Sequence, residues 1–191
     1  MKLYAFPSTP NNRKDVAYIR HYDLDVEVHA VSFKNREQTQ PEFLDINPMG
    51  KVPALVDGKH HLWESNAILT YLACRFSHCN ALPTDTWGRA DADRWLHWQS
   101  AHLTPLMGGL KTGAEEVASL EPLLKVLDSQ LKGRDFILGE LSLCDFAIAP
   151  YLLTKLGNKL DYSGHPHLAD WRMRMAKLKG FAETELRSPV A

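Results

Sequence analysis

Three short segments of this chain carry residue types and spacings suited to chemistry. The first, Ser8-Thr9-Pro10-Asn11-Asn12-Arg13, offers two hydroxyls and two amides in a turn just ahead of a helical run. The second, Asn47-Pro48-Met49-Gly50-Lys51-Val52-Pro53, is a Pro/Gly turn that delivers Val52-Pro53 to the mouth of a short apolar strand. Proline has no N–H and a fixed φ, so Pro53 belongs at a strand's first residue. In a cis Val52-Pro53 bond, which only X-Pro pairs adopt at low cost, the N–H and C=O of Val52 face outward and can dock an extended peptide as an added strand. The third, Glu64-Ser65, stands where a strand gives way to an apolar helical run, so the Ser65 hydroxyl and the first-turn N–H groups make an anion site. Each segment also has a purely structural use: a Gly-Lys-Val-Pro string makes a turn, and Ser8, Thr9, Asn11 and Ser65 cap helices.

The elements that must position these segments emerge from periodicity. Lys2 to Phe6 reads as a strand, Asn12 to Tyr22 as a helix, Val26 to Phe33 as a strand and Pro41 to Asp45 as a short irregular helix. Pro53 to Val56 and Lys59 to Trp63 flank Asp57-Gly58, a strong hairpin signal, and Ser65 to Phe76 reads as a closing helix. The order βαβ-ββα predicts a thioredoxin-like α/β domain over residues 1–77. From Ser77 to Thr86 the composition turns small and polar, as in a linker, and beyond it strand signals vanish. Apolar residues at three-to-four spacing predict helices over Trp87 to Leu103 and Ala114 to Leu131, hence an all-helical domain over 87–191. Ser142-Leu143-Cys144-Asp145 before the apolar run Phe146 to Leu153 is a reciprocal capping box with a structural role.

Composition narrows the function. With 45% hydrophobic and 24% charged residues in 191, the chain has a sizeable core and is neither disordered nor fibrous. A net charge of -1 supplies no field for nucleic acid or anionic lipid. No apolar run is long enough to cross a bilayer, and Met1 to Pro7 lacks the apolar core and cleavage site of a secretory signal, so a soluble cytoplasmic protein is expected. Three cysteines without a Cys-x-x-Cys pair fit a reducing compartment. The nine histidines include no metal-binding spacing, so no metal is expected.

Asn47 to Leu55, Glu64 to Leu69 and the upstream Gln38-Thr39-Gln40-Pro41-Glu42-Phe43-Leu44, in this order and at this separation, resemble the N-terminal domain of the glutathione transferase superfamily. The capping box extends the resemblance to the helical domain. Thr9-Pro10-Asn11 is similar to the turn of the bacterial nu-class members, which act on disulfides and peroxides as well as by conjugation. Asn12 departs, replacing a glycine there. The resemblance implies glutathione as co-substrate, a small electrophile as its partner and a homodimer. It places thiol activation on Thr9, Asn11 or Ser8. Gln38, Lys51, Val52, Pro53, Glu64 and Ser65 would hold the tripeptide. The glycyl carboxylate falls to Lys51, the cysteinyl backbone to Val52 and the γ-glutamyl end to Glu64 and Ser65. Arg13 reads as a solvated helix arginine. The acceptor would lie between the domains, against Trp98, His102 and Leu106.

The activation task can be sized. A thiol of ordinary pKa about 8.5 must fall roughly two units to be mostly ionised at pH 7, about 2.7 kcal/mol. A hydrogen bond to a charged acceptor supplies about 1.5 to 3 kcal/mol and a helix N-terminus about 0.3 to 1. One hydroxyl at a helix start is enough. A glutathione-dependent disulfide reductase and a non-catalytic binding module of the same fold stand as rivals.

Overall fold

The computed structural model describes residues 1–6, 8–109 and 118–184. In chain order the elements are β1 (Lys2–Ala5), α1 (Pro10–His21), β2 (Glu27–Ala30), α2 (Pro41–Leu44), β3 (Ala54–Asp57), β4 (His60–Trp63), α3 (Ser65–Arg75), α4 (Thr86–Trp98), α5 (Thr104–Gly109), α6 (Glu121–Leu131), α7 (Leu143–Leu152), α8 (Pro166–Lys177) and α9 (Lys179–Glu183). They form two compact units, one built from Met1–Cys79 and α9, the other from Asn80–Leu178. The first is a thioredoxin-like sheet with helices, the second is helical. The pattern-based reading assigns residues 87–191 to one helical domain, whereas α9 packs in the first unit, against α1.

The sheet order is β2-β1-β3-β4, with β1 parallel to β2 and antiparallel to β3, and β4 antiparallel to β3. Side chains alternate across each strand. Tyr4 and its register partner Ala54 join Val31 and Phe43 of α2 in one apolar cluster. Leu3 and Leu55, also paired in register, point to the opposite face and are buried.

Helix α1 departs from what its sequence suggests. Pro10 sits at its first turn, where a missing N–H costs nothing, and Thr9 is the N-cap. Its residues from Asn12 to Ile19 are all buried, including Arg13, Lys14 and Asp15. Arg13, expected in solvent, is 3% exposed. Its Nη2 donates to the Phe181 carbonyl at 3.2 Å, its Nε to Thr184 Oγ1 at 3.3 Å, and its guanidinium lies over the Phe181 ring. The C-terminal helix therefore covers the face that a free helix would turn to water. Gly180 permits the approach: a Cβ there would stand 2.0 Å from the Ala17 carbonyl oxygen. On α3, Asn66 Oδ1 accepts from Lys14 Nζ at 2.6 Å. Burial lowers the Lys14 pKa to about 8, against the pull of Asp15 and Glu64. Asp15 has no hydrogen-bond partner for either oxygen among the described residues, and burial holds its carboxyl well above the carboxylate range.

In the helical unit, the expected helix Trp87 to Leu103 is interrupted. Residues Gln99–Leu103 form a π-helical turn before α5. Pro105 cannot donate to the carbonyl four residues back, and a widened turn relieves its ring clash. Within the turn the Gln99 carbonyl accepts from both the Thr104 N–H and, at 3.0 Å, Thr104 Oγ1. The helix expected over Ala114 to Leu131 is broken in its described part by a turn at Ser119 and Leu120, after which α6 starts at Glu121 with Pro122 in the first turn where proline is tolerated. Its Ala114 to Val117 portion lies outside the described residues. The capping box forms as read: the Ser142 N–H donates to Asp145 Oδ2 at 2.9 Å. Asp145 also accepts from Ser142 Oγ, the Ile137 N–H and Trp171 Nε1, at 2.9, 3.0 and 2.8 Å.

These buried charges have measurable consequences. Asp145→Ala leaves the Ile137, Ser142 and Trp171 donors unpaired in a fully buried site, so denaturant unfolding should show a loss of about 3 kcal/mol or more. Lys14 titrates near 8 in the folded chain and at 10.5 unfolded. Between those values the unfolded state holds the extra proton, so stability from this group rises with pH and is absent below about 8. The difference in unfolding free energy between wild type and Lys14→Met should shift by up to about 3 kcal/mol across that window.

Candidate functional site

The end of β1, the start of α1, the loop before β3 and the start of α3 meet through side-chain hydrogen bonds within the first unit. Asn12, 2% exposed, is the hub. Its Oδ1 accepts from the Phe6 N–H at 2.9 Å, and its Nδ2 donates to Thr9 Oγ1 at 2.6 Å and to the Val52 carbonyl at 3.2 Å. These partners fix the amide's orientation: an N–H needs the oxygen, and a carbonyl needs the nitrogen. One residue earlier, Asn11 Oδ1 accepts from Ser65 Oγ at 3.2 Å.

Thr9 and Ser8 are exposed in the turn ahead of α1 and Asn11 is half-buried. Thr9 has extended backbone angles and makes no side-chain cap to the helix backbone. Pro53 is buried and preceded by a cis bond, while Val52 is half-buried. Gly50 holds the loop in shape with a φ of +60°. A Cβ at that residue would stand 3.2 Å from the Gln38 carbonyl oxygen, so the segment bearing Gln38 lies against the Val52 corner. Gln38 Oε1 is itself buried and has no partner among the described residues. Lys51 is exposed, and its backbone carbonyl accepts from Asn47 Nδ2 at 2.6 Å. Glu64 is exposed, caps α3 and has φ 71° and ψ 113°, a conformation that costs a non-glycine residue about 1 to 3 kcal/mol. Ser65 comes next in the first turn, 9% exposed.

The structure thus brings Thr9, Asn11, Val52, Pro53, Gln38 and Ser65 into one connected neighbourhood, with Lys51 and Glu64 next in sequence to its members. An exposed hydroxyl, the half-buried backbone of Val52 and a helix N-terminus can together hold a small anionic peptide. Asn12, Lys14 and Asn66 escaped the pattern-based reading as site residues. The three-residue spacing of Thr9 and Asn12, which puts them on one helix face, was the available signal.

In the second unit, Trp98 packs edge-on against Trp95, with ring centroids 5.3 Å apart. Both line a cavity of about 560 Å³ together with Pro122, Lys125, Val126 and Gln130. His102, exposed in the π turn, and Leu106, half-buried on α5, are not among its described lining residues. The extra residue of the π turn rotates the face presented by α5, so helical spacing does not carry from Trp98 to Leu106. No group of three or more candidate metal ligands occurs among the described residues, and no described helix is long and apolar enough to cross a membrane.

Comparison with known proteins bears on this geometry. Residues 1–74 match the family described as glutathione S-transferase, N-terminal domain. The chain is 30% identical to glutathione S-transferase 3 of Zea mays, over 100% of this chain and 95% of the maize protein. It is 29% identical to the disulfide-bond oxidoreductase YfcG of Escherichia coli, over 98% and 95% of the two chains. Among solved structures, a glutathione transferase from Burkholderia graminis, described with two glutathione molecules bound per protein subunit, superposes with a TM-score of 0.84 at 29% identity. That alignment covers 100% of this chain and 89% of the other. The match of residues 1–74 and likeness along the chain's whole length to a named transferase place this chain in the glutathione S-transferase family.

Proposed function

We propose that this protein binds glutathione in the first unit and activates its thiol for attack on small electrophilic substrates. The observation that carries the reading is the set of hydrogen bonds joining Thr9, Asn12 and Val52, with Asn11 to Ser65 alongside. The γ-glutamyl carboxylate meets Ser65 Oγ and the first N–H groups of α3, and its amine meets Glu64. The cysteinyl N–H and C=O pair with the backbone of Val52 in a short strand-like contact just ahead of β3, whose two sides are already paired with β1 and β4. Lys51, exposed beside that corner, suits the glycyl carboxylate. Gln38, half-buried on the segment against Gly50, supplies a further polar contact.

The sulfur then lies over the turn ahead of α1. Thr9 Oγ1 donates to it and favours the thiolate, with the N-terminus of α1 adding its field and Asn11 next in line. Thr9 is a donor and takes no proton, so the thiol proton leaves to solvent. Ser8, exposed one residue back, is the lesser candidate. The active particle is a homodimer working in the reducing cytoplasm. Light scattering should return twice the chain mass, and a monomeric particle contradicts this.

A second reading is reduction of disulfides by glutathione. It is favoured by the likeness to an oxidoreductase of that name and to a transferase described with two glutathiones per subunit. In that reaction the thiolate attacks a disulfide sulfur and expels a thiolate, and a second glutathione resolves the mixed disulfide. Rates on an aryl chloride and on a small hydroxyethyl disulfide, measured side by side, separate the two. Titration calorimetry should show glutathione binding, and its absence would sink both readings in favour of a non-catalytic module. Thr9→Ala should raise the pH at which bound glutathione ionises by about one unit or more, read from thiolate absorbance.

A further inference from the structure

The buried amide of Asn12 controls which way the Thr9 hydroxyl can point. An N-cap threonine ordinarily uses its oxygen to accept from a backbone N–H in the first turn. Thr9 makes no such cap. Its oxygen accepts instead from the side chain of Asn12, three residues on, at 2.6 Å. The hydroxyl's one described acceptor is the Phe6 carbonyl, at a long 3.4 Å. One lone pair of Thr9 Oγ1 is therefore engaged by Asn12, and its proton is only loosely held.

Asn12 cannot swing away from this task. Its oxygen is held by the Phe6 N–H, one amide hydrogen by Thr9 Oγ1 and the other by the Val52 carbonyl. At 2% exposure, no water competes for these positions. The carbonyl of Val52 keeps a second lone pair, so the bond from Asn12 leaves it able to receive a ligand N–H. One side chain thereby fixes the distance between the turn that bears the hydroxyl and the corner that bears the backbone pair.

We propose that Asn12 is a positioning residue for thiol activation: its amide engages the oxygen of Thr9 so that the hydroxyl acts as a donor toward the glutathione sulfur. The inference rests on the glutathione-binding reading above and extends it to a residue that touches neither sulfur nor tripeptide. Donation into Thr9 Oγ1 also polarises its O–H bond, since hydrogen bonds in series strengthen one another. An aspartate in place of Asn12 reverses the arrangement. It keeps the shape and accepts from the Phe6 N–H, but its second oxygen draws the Thr9 proton toward itself and repels the Val52 carbonyl. A glycine removes the amide and leaves the hydroxyl free to turn.

The test compares the ionisation of bound glutathione, followed by thiolate absorbance against pH, in the full-length wild type, Asn12→Asp, Asn12→Gly, Thr9→Ala and the double variant Thr9→Ala/Asn12→Asp. Glutathione affinity is measured in parallel by calorimetry. Asn12→Asp is expected to raise the thiol pKa by about one to two units, and Asn12→Gly by a smaller amount. In the Thr9→Ala background the aspartate should add little, because the hydroxyl through which Asn12 acts is gone. An unchanged thiol pKa in both Asn12 variants with glutathione still bound overturns the proposal, as does full additivity of the two substitutions. If wild type itself neither binds nor ionises glutathione, the glutathione reading fails first. The two failures are thus told apart by the wild-type titration alone.

Discussion

Polar side chains that are buried must find partners, and the first two turns of α1 bury several in succession. Asn12, Arg13 and Lys14 each reach a different part of the first unit. Asn12 ties the end of β1 to the Val52 corner, Arg13 holds α9, and Lys14 holds the first turn of α3. An unsatisfied buried donor costs about 1 to 3 kcal/mol, more for a charge, so these contacts are conditions of folding as much as contributions to it. The residues that carry the candidate chemistry, Thr9, Asn11, Val52 and Ser65, lie directly on this framework and take their positions from it.

The framework explains how a short, exposed turn can act with precision. Thr9 belongs to the surface, yet its oxygen is bonded to a buried side chain that is itself held at two further points. A functional group on a loop gains accuracy when its supporting shell is rigid. Asp15, next along α1, is buried with no hydrogen-bond partner for its carboxyl among the described residues. Burial pushes its carboxyl well above the usual carboxylate range, against the pull of Lys14.

Energetic roles divide between the two units. In the first, buried polar groups position the site. In the second, the Asp145 network anchors the start of α7 to Trp171 of α8 and to the Ile137 backbone, in a helix that is buried throughout. Burial pushes the Asp145 carboxyl up to about 6, while the donors around it draw it back down. The π turn at Gln99–Leu103 and its neighbour Pro105 set the direction of the helix beyond Trp98, which makes the face offered there a property of the backbone irregularity.

The sequence by itself determined the elements and named most residues of the candidate site. Strand alternation, Asp57-Gly58, Pro53 at a strand mouth and the Ser142 to Asp145 box are local signals, in which residues a few positions apart dictate the backbone, and they are legible without coordinates. So are Thr9, Asn11, Val52 and Ser65, because turn and cap chemistry is local too. Only the tertiary structure decided that Arg13 is buried, that α9 belongs with the first unit, that Asn12 joins Thr9 to Val52, and that Trp98 faces Trp95 and α6 across a cavity. Those facts depend on contacts between residues 40 to 168 positions apart or on a helix irregularity, and no periodicity within a single element encodes them.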